Sequence, residues 1–311
     1  MIKRLLISFI VVFSIVIALQ PILEKGLRRF DLQKFEKLDE IILGKTPYDL
    51  VVFGSSRAYV HYHPGILDTL LHLNTFNAGS EGALYGETDV LLMQYLKHHP
   101  KPRVLLVNTD MAMFAYPDRI FNPTSYYPYL TEPAVKEYLH KMDPFSKGIS
   151  YLPFLAITRY DDYLRGNSIK GILGKTASYS RFHYKGYIES PETQIIDTLK
   201  SVPPSNQDSL YTDAFSFFSK WDSICRKQDI QFIAVFSPYH QFNYKSYPKQ
   251  VSRRKIIIKS LRDSGIEVLD METPSFSGRT DFFSDAIHLN RKGARFFSSM
   301  LADSLKMKYG F

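Results

Sequence analysis

The sequence predicts an α/β fold: a flavodoxin-like, doubly wound parallel sheet of about five strands, carrying an inserted aromatic-rich cap and preceded by a membrane helix. Three observations predict it. Short apolar runs closed by glycine or polar turns alternate with amphipathic stretches. The alternation is suspended from about Met111 to Ser205 and then resumes. A long apolar segment stands at the N-terminus.

The N-terminal segment opens with Lys3-Arg4 and runs almost unbroken in apolar residues from Leu5 to Leu19, continuing through Gln20-Pro21-Ile22-Leu23. That length lies between a signal-peptide core and the roughly 20 residues that cross a bilayer. No polar face recurs every three or four positions, as it would in a buried amphipathic helix. Residues 1–23 are therefore expected to be a transmembrane anchor, or a signal peptide cleaved after Val16-x-Ala18. Lys3 and Arg4 favour a cytoplasmic N-terminus, although Lys25, Arg28 and Arg29 on the other flank weaken that vote. Either way the body is expected outside the cytoplasm, in a periplasm or at a cell surface. Residues 24–46 read as a polar, partly helical juxtamembrane connector, and 47–311 as the α/β domain.

Tyr48 to Phe53 is a short apolar run closed by Gly54, as a buried parallel strand requires. A helix around Ile66–Leu71 follows, then Thr75-Phe76-Asn77, an amphipathic helix over Gly86–His98 and a third strand over Arg103–Asn108. The stretch 111–205 is too long for a simple loop. Its many aromatics, among them Tyr126, Tyr127, Tyr129, Tyr151, Tyr160, Tyr163, Tyr179, Phe182 and Tyr187, read as a cap inserted between the third and fourth core strands. They suit either packing within that cap or stacking on sugar rings. A helix from about Ser209 to Lys227, the strand Phe232–Phe236, a basic helix near Lys249–Asp263, the strand Ile266–Leu269 and a last helix over Arg291–Lys306 complete the pattern. Right-handed crossovers would cover both faces of such a sheet.

The chain has 311 residues, 45% hydrophobic and 23% charged, the proportions of a globular protein. The net charge of +8 is scattered apart from Arg253-Arg254-Lys255, which reads as a solvated helix face. No zinc finger, RNA-binding signature or basic stripe supports a nucleic-acid partner. The single cysteine, Cys225, falls on the apolar face of a helix and reads as core. His61-x-His63 lacks further ligands for a metal site and reads as pocket rim or surface. No metal or cofactor is expected.

In an open parallel sheet, chemistry gathers at the carboxyl ends of the strands. Ser56 follows the first strand on the turn Phe53-Gly54-Ser55-Ser56-Arg57, where its hydroxyl and its own N–H could face one pocket. Asp285 and His288, three residues apart before the last helix, could supply a base and its orienting carboxylate. Arg57, Tyr239 and His240 lie near the same edge and are candidates for lining the substrate pocket, Arg57 alternatively for a structural ion pair.

Taken together, strand-Gly-x-Ser and Phe283-x-Asp285-x-x-His288-Leu289-Asn290-x-x-Gly293-Ala294 resemble the SGNH (GDSL-like) hydrolase superfamily over most of residues 46–308. The resemblance implies an esterase or acyltransferase with Ser56 as nucleophile, His288 as general base and Asp285 as its partner. Asn77-Ala78-Gly79 matches the family's second block, implying an oxyanion hole from the Ser56 and Gly79 amides. Each such donor is worth about 2.7–4 kcal/mol. Asn108, in Val107-Asn108-Thr109-Asp110, stands where a third donor is kept. Two blocks depart from the family pattern: Gly-Asp-Ser is Gly54-Ser55-Ser56 here, and Gly-x-Asn-Asp is replaced. The first form is similar to extracytoplasmic members such as the D-alanyl-lipoteichoic-acid transfer and alginate O-acetylation proteins. The expected substrate is an acyl ester on a cell-envelope polysaccharide, or alternatively a lipid. An integral-membrane O-acyltransferase is a possible partner, in which case the domain could be a non-catalytic acceptor-positioning subunit.

Overall fold

The computed structural model describes residues 2–30, 32–152, 154–160, 162–177, 183–191, 210–246 and 249–310. Tyr179, Phe182 and the end of the insertion expected at 205 fall outside them. In chain order the helices are α1 (Ile2–Phe30), α2 (Leu32–Leu43), α3 (Ser56–His61), α4 (Pro64–Leu71), α5 (Tyr85–His98) and α6 (Ala112–Ala115). Then come α7 (Pro133–Met142), α8 (Phe145–Tyr151), α9 (Leu155–Arg159), α10 (Asp162–Ile172) and α11 (Asp213–Lys227). The last are α12 (Gln241–Ser246), α13 (Lys249–Asp263), α14 (Pro274–Ser277) and α15 (Arg291–Tyr309). The strands are β1 (Leu50–Phe53), β2 (Thr75–Asn77), β3 (Val104–Asn108), β4 (His183–Tyr184), β5 (Tyr187–Ile188), β6 (Gln231–Phe236) and β7 (Val268–Asp270).

The chain divides into two compact units, Met1–Leu43 with Ile120–Ser180, and Gly44–Arg119 with Arg181–Phe311. The second unit holds a five-stranded sheet in the order β2-β1-β3-β6-β7, every neighbouring pair parallel. The 2-1-3-4-5 order of core strands is the flavodoxin-like one, with its switch between β1 and β3. Leu50–Phe53 and Val104–Asn108 are buried throughout, since helices cover both faces of a parallel sheet and leave no wet side for alternation. One face packs on α15 through Phe297, Leu301 and Leu305 beside Tyr62 and Leu67. Trp221 and Phe218 of α11 pack together and against Phe232 of β6.

The first unit is helical. α1 is long and apolar enough to cross a membrane, and it runs without a break past the expected end at Leu23 to Phe30. The expected connector is therefore helix on both sides of residue 31, and its polar groups are used inside the unit: Arg28 pairs with Asp39, which also accepts from Tyr129 Oη at 2.6 Å. α1 and α10 run side by side with glycines at the crossing. A Cβ at Gly26 would strike the Ser168 carbonyl, and one at Gly171 the Gly26 carbonyl. Tyr126, Tyr127, Tyr129 and Tyr160 are buried, so these aromatics fill the interior of the unit and present no face for a sugar. Two ends of the expected insertion, Met111–Arg119 and the β4–β5 hairpin, belong to the sheet unit, where Tyr187 is buried in the core.

Candidate active site

β1 ends at Gly54, whose φ of +137° is open to glycine and whose missing Cβ leaves room for the Asn108 carbonyl, 2.9 Å from where it would sit. The sharp turn this permits starts α3 immediately. Ser55 caps the helix, its Oγ accepting from Arg57 N–H at 3.2 Å, and Ser56 becomes the first helical residue. The Ser56 N–H is one of the first-turn donors that no helix satisfies internally.

The facing loop is built by its own motif. Asp285 Oδ1 accepts from the backbone N–H groups of Ile287 and His288 at 2.8 and 2.7 Å, curling the chain so that Asp285 and His288 share one side. Phe283 and Leu289 bridge the loop's base, and Asn290 caps α15 by accepting from Gly293 N–H at 2.9 Å. Gly293 is required because a Cβ there would run into the Phe282 carbonyl.

The two loops meet. Asp285 Oδ2 lies 2.8 Å from His288 Nδ1, and His288 Nε2 lies 2.8 Å from Ser56 Oγ. A carboxylate only accepts, so Nδ1 carries the proton and Nε2 is left to accept from the serine hydroxyl. Burial pushes the Asp285 carboxyl up, but the bonds from the His288 ring and the two amides outweigh it and hold it below the usual aspartate range. Asp285 and His288 keep about a quarter of their side-chain surface open to solvent (28% and 22%).

Two of the pocket candidates are instead framework, and Arg57 takes its alternative role in a structural ion pair. Arg57 is 3% exposed. Its Nη1 pairs with Asp110 at 2.7 Å, its Nη2 donates to the carbonyls of Ser237 and Pro238, and its Nε donates to the Ile287 carbonyl at 3.1 Å. With those donors spent, it is not a receptor for a substrate anion. Tyr239 lies beneath that guanidinium, 3.5 Å from carbon to ring centroid, and its hydroxyl accepts from Met111 N–H. His240 is buried and takes the Phe242 N–H on Nδ1.

The expected oxyanion donors also change. Asn108 is wholly buried at the end of β3, its amide accepting from Tyr62 Oη at 2.8 Å and donating to Asp110 at 3.0 Å, so it does not face Ser56 as a donor. The Gly79 N–H donates to Asn77 Oδ1 at 3.0 Å, because Asn77 turns back to hold the carbonyls of Ala58 and Tyr62 with its Nδ2. Of the three expected donors, the Ser56 N–H is the one without an internal partner among the described residues.

His61 is a further site residue that the sequence reading missed. It lies on α3, not on a strand, so its facial partner is Arg57 four residues earlier rather than His63. It is fully buried, Nε2 accepting from Leu289 N–H at 3.1 Å and Nδ1 facing Ser237 Oγ at 3.0 Å. Burial, then the nearby Arg57 and His288 charges, push its pKa well below the usual histidine range, so it is neutral with the proton on Nδ1. Arg57 and His61 thus hold the two peptide groups flanking His288. Asp110, also missed, gathers Ser55 Oγ, Arg57 and Asn108 on one carboxylate beneath the serine turn. The i, i+4 spacing of Arg57 and His61 could have pointed to the shared face; nothing in the sequence marked Asp110. A separate cavity of about 350 Å³, lined by Tyr244, Arg254, Ile258 and Glu272 among others, contains none of these groups.

No family model matches the sequence, and no curated protein matches it. Among solved structures, a candidate acylhydrolase from Bacteroides fragilis is similar at 10% identity and a TM-score of 0.40, over 83% of this chain and 86% of that one. A candidate platelet activating factor from Streptococcus pneumoniae is similar at 12% identity and a TM-score of 0.41, over 93% and 98%. Likeness this distant carries no chemistry to this chain.

Proposed function

We propose that this chain is an SGNH-type serine esterase or O-acyltransferase, membrane-anchored through α1, that acts on acyl esters outside the cytoplasm. The observation that carries the reading is the unbroken relay Asp285–His288–Ser56 at 2.8 Å per link, between loops 232 residues apart in the chain. Ser56 Oγ attacks the ester carbonyl carbon while its proton passes to His288 Nε2. Asp285 steadies the imidazolium, and the Ser56 N–H faces the oxyanion. The proton then leaves on the departing alcohol, and an acyl group remains on Ser56. Water or a sugar hydroxyl, deprotonated by His288, removes it. The glycan part of the reading rests on the compartment alone, since Tyr126, Tyr127, Tyr129 and Tyr160 are interior.

A fluorophosphonate probe tests this. The reading expects an adduct on Ser56 that is absent in Ser56→Ala and weak in His288→Ala. Failure of the folded wild type to label would refute it.

One observation favours a second reading, a non-catalytic subunit that positions an acceptor for an integral-membrane O-acyltransferase. The Gly79 N–H and the Asn108 amide are both held internally, which leaves a thin oxyanion cradle. That reading expects no adduct from folded protein, together with specific binding of an acceptor glycan.

A further inference from the structure

From Ile2 to Leu19, every described side chain of α1 is exposed except Phe13. Its cover is Phe154, which meets it edge-to-face at 5.6 Å and 81° between α8 and α9. Further along, α10 lies against Gly26, and Ala177 N–H donates to the Phe30 carbonyl at 2.8 Å. Residues 154–160 and 162–177 therefore run alongside α1, with Phe154 beside Phe13 of the apolar run. Phe13 is six residues before Leu19, or about 9 Å along a helix at about 1.5 Å per residue.

The residues at that point are unusual for a water-exposed corner. Tyr151 is 84% exposed, Leu152 38% and Phe145 37%. Residues 144–160 contain no Asp or Glu, while Lys147 and Arg159 supply two positive charges. Arg159 covers the Phe145 ring at 5.0 Å and is hydrogen-bonded to Tyr127. Exposed aromatic and aliphatic side chains with basic residues close by in the chain are the composition of a segment lying in a lipid interface.

We infer that the α8–α9 corner is a second membrane contact, inserting Tyr151 and Leu152 among the acyl chains beside α1. The inference rests on the reading that α1 lies in a bilayer. The glycine crossing of α1 and α10 fixes the depth, because neither helix can slide without driving backbone into backbone. A single anchor helix can swivel; two contacts hold the helical unit at one height in the surface.

The full chain reconstituted in phosphatidylcholine nanodiscs, with a bimane label on one introduced cysteine, tests this. Cys225 does not compete, being buried, with its thiol pushed up to about 12. Labels at Ile10→Cys, Leu152→Cys and Lys175→Cys are compared in plain lipid and in lipid brominated on the acyl chains. The inference expects Ile10→Cys and Leu152→Cys both to lose most of their emission in brominated lipid, and Lys175→Cys, level with Phe30, to keep it. Quenching at Ile10 without quenching at Leu152 would overturn the second contact and leave the anchor standing. Absence of quenching at Ile10 would overturn the anchor, and the inference with it.

Discussion

The buried pair Arg57–Asp110 offers the sharpest test of how the site is held. Both side chains are 3% exposed, and among the described residues Asp110 is the carboxylate that pairs with the guanidinium; its other contacts are backbone carbonyls and the Tyr239 ring. In Asp110→Ala the cation stays buried without its counter-charge, while Ser55 Oγ and the Asn108 amide lose an acceptor. Breaking a buried pair from one side costs about 3–5 kcal/mol. For a unit of about 200 residues, at about 2–4 °C per kcal/mol, that lowers the midpoint by about 6–20 °C. Thermal unfolding followed by near-ultraviolet circular dichroism reads the shift. Replacing both partners with apolar groups, Arg57→Met with Asp110→Leu, should recover much of the midpoint, because the penalty is the orphaned charge rather than the lost attraction. Ser56 labelling should stay low in the double variant, which restores no bond to the Ile287 carbonyl. A single variant within about 2 °C of wild type, less than about 1 kcal/mol, would refute the account of the pair.

His61→Ala removes the acceptor of the Leu289 N–H and the partner of Ser237, a loss of about 1–3 kcal/mol in a dry site; labelling of Ser56 should slow while circular dichroism at low temperature stays native. Gly293→Ala should likewise impair labelling, since the added Cβ meets the Phe282 carbonyl and shifts the loop that carries His288. The Asp285 carboxyl is held below its ordinary value, so its ionised form stabilises the fold above the unfolded pKa of about 3.9, and that contribution is lost as pH falls through the lower folded pKa. Urea midpoints of wild type and Asp285→Asn should therefore differ most near neutrality and converge in acid; a gap that widens in acid would contradict the sign. Gly171→Leu should separate α10 from α1 and expose their interface to proteolysis, detectable by limited digestion of the reconstituted chain.

The sheet was legible because buried parallel strands write themselves as short apolar runs, and five of them were separated by helix-length spacers. The meeting of Ser56, Asp285 and His288 was legible for a related reason: each lies on a turn whose shape depends on local residues, Gly54 and Ser55 before the serine, Asn290 and Gly293 after the histidine. Roles that depend on what lies across the fold were not. Arg57 reads as either a pocket cation or half of an ion pair until Asp110 and three carbonyls from distant loops surround it. His61-x-His63 reads as pocket rim or surface, whereas α3 buries His61 and turns it to Leu289 and Ser237. Asn108 occupied the expected position in the chain, but the strand end points its amide inward. The tyrosines of the insertion carried no sign of which face was buried, because a dense aromatic segment lacks the polar alternation that reveals a surface.

The central claim is that Ser56 becomes acylated through His288. Rapid mixing of the full chain with p-nitrophenyl acetate, followed by acid quench and peptide mass analysis, observes that event directly. The account predicts a burst of p-nitrophenol matched by acetyl on the Ser56 peptide, abolished in Ser56→Ala and slowed in His288→Ala. Acetylation that persists in Ser56→Ala, or folded wild type that yields neither burst nor adduct, would contradict it.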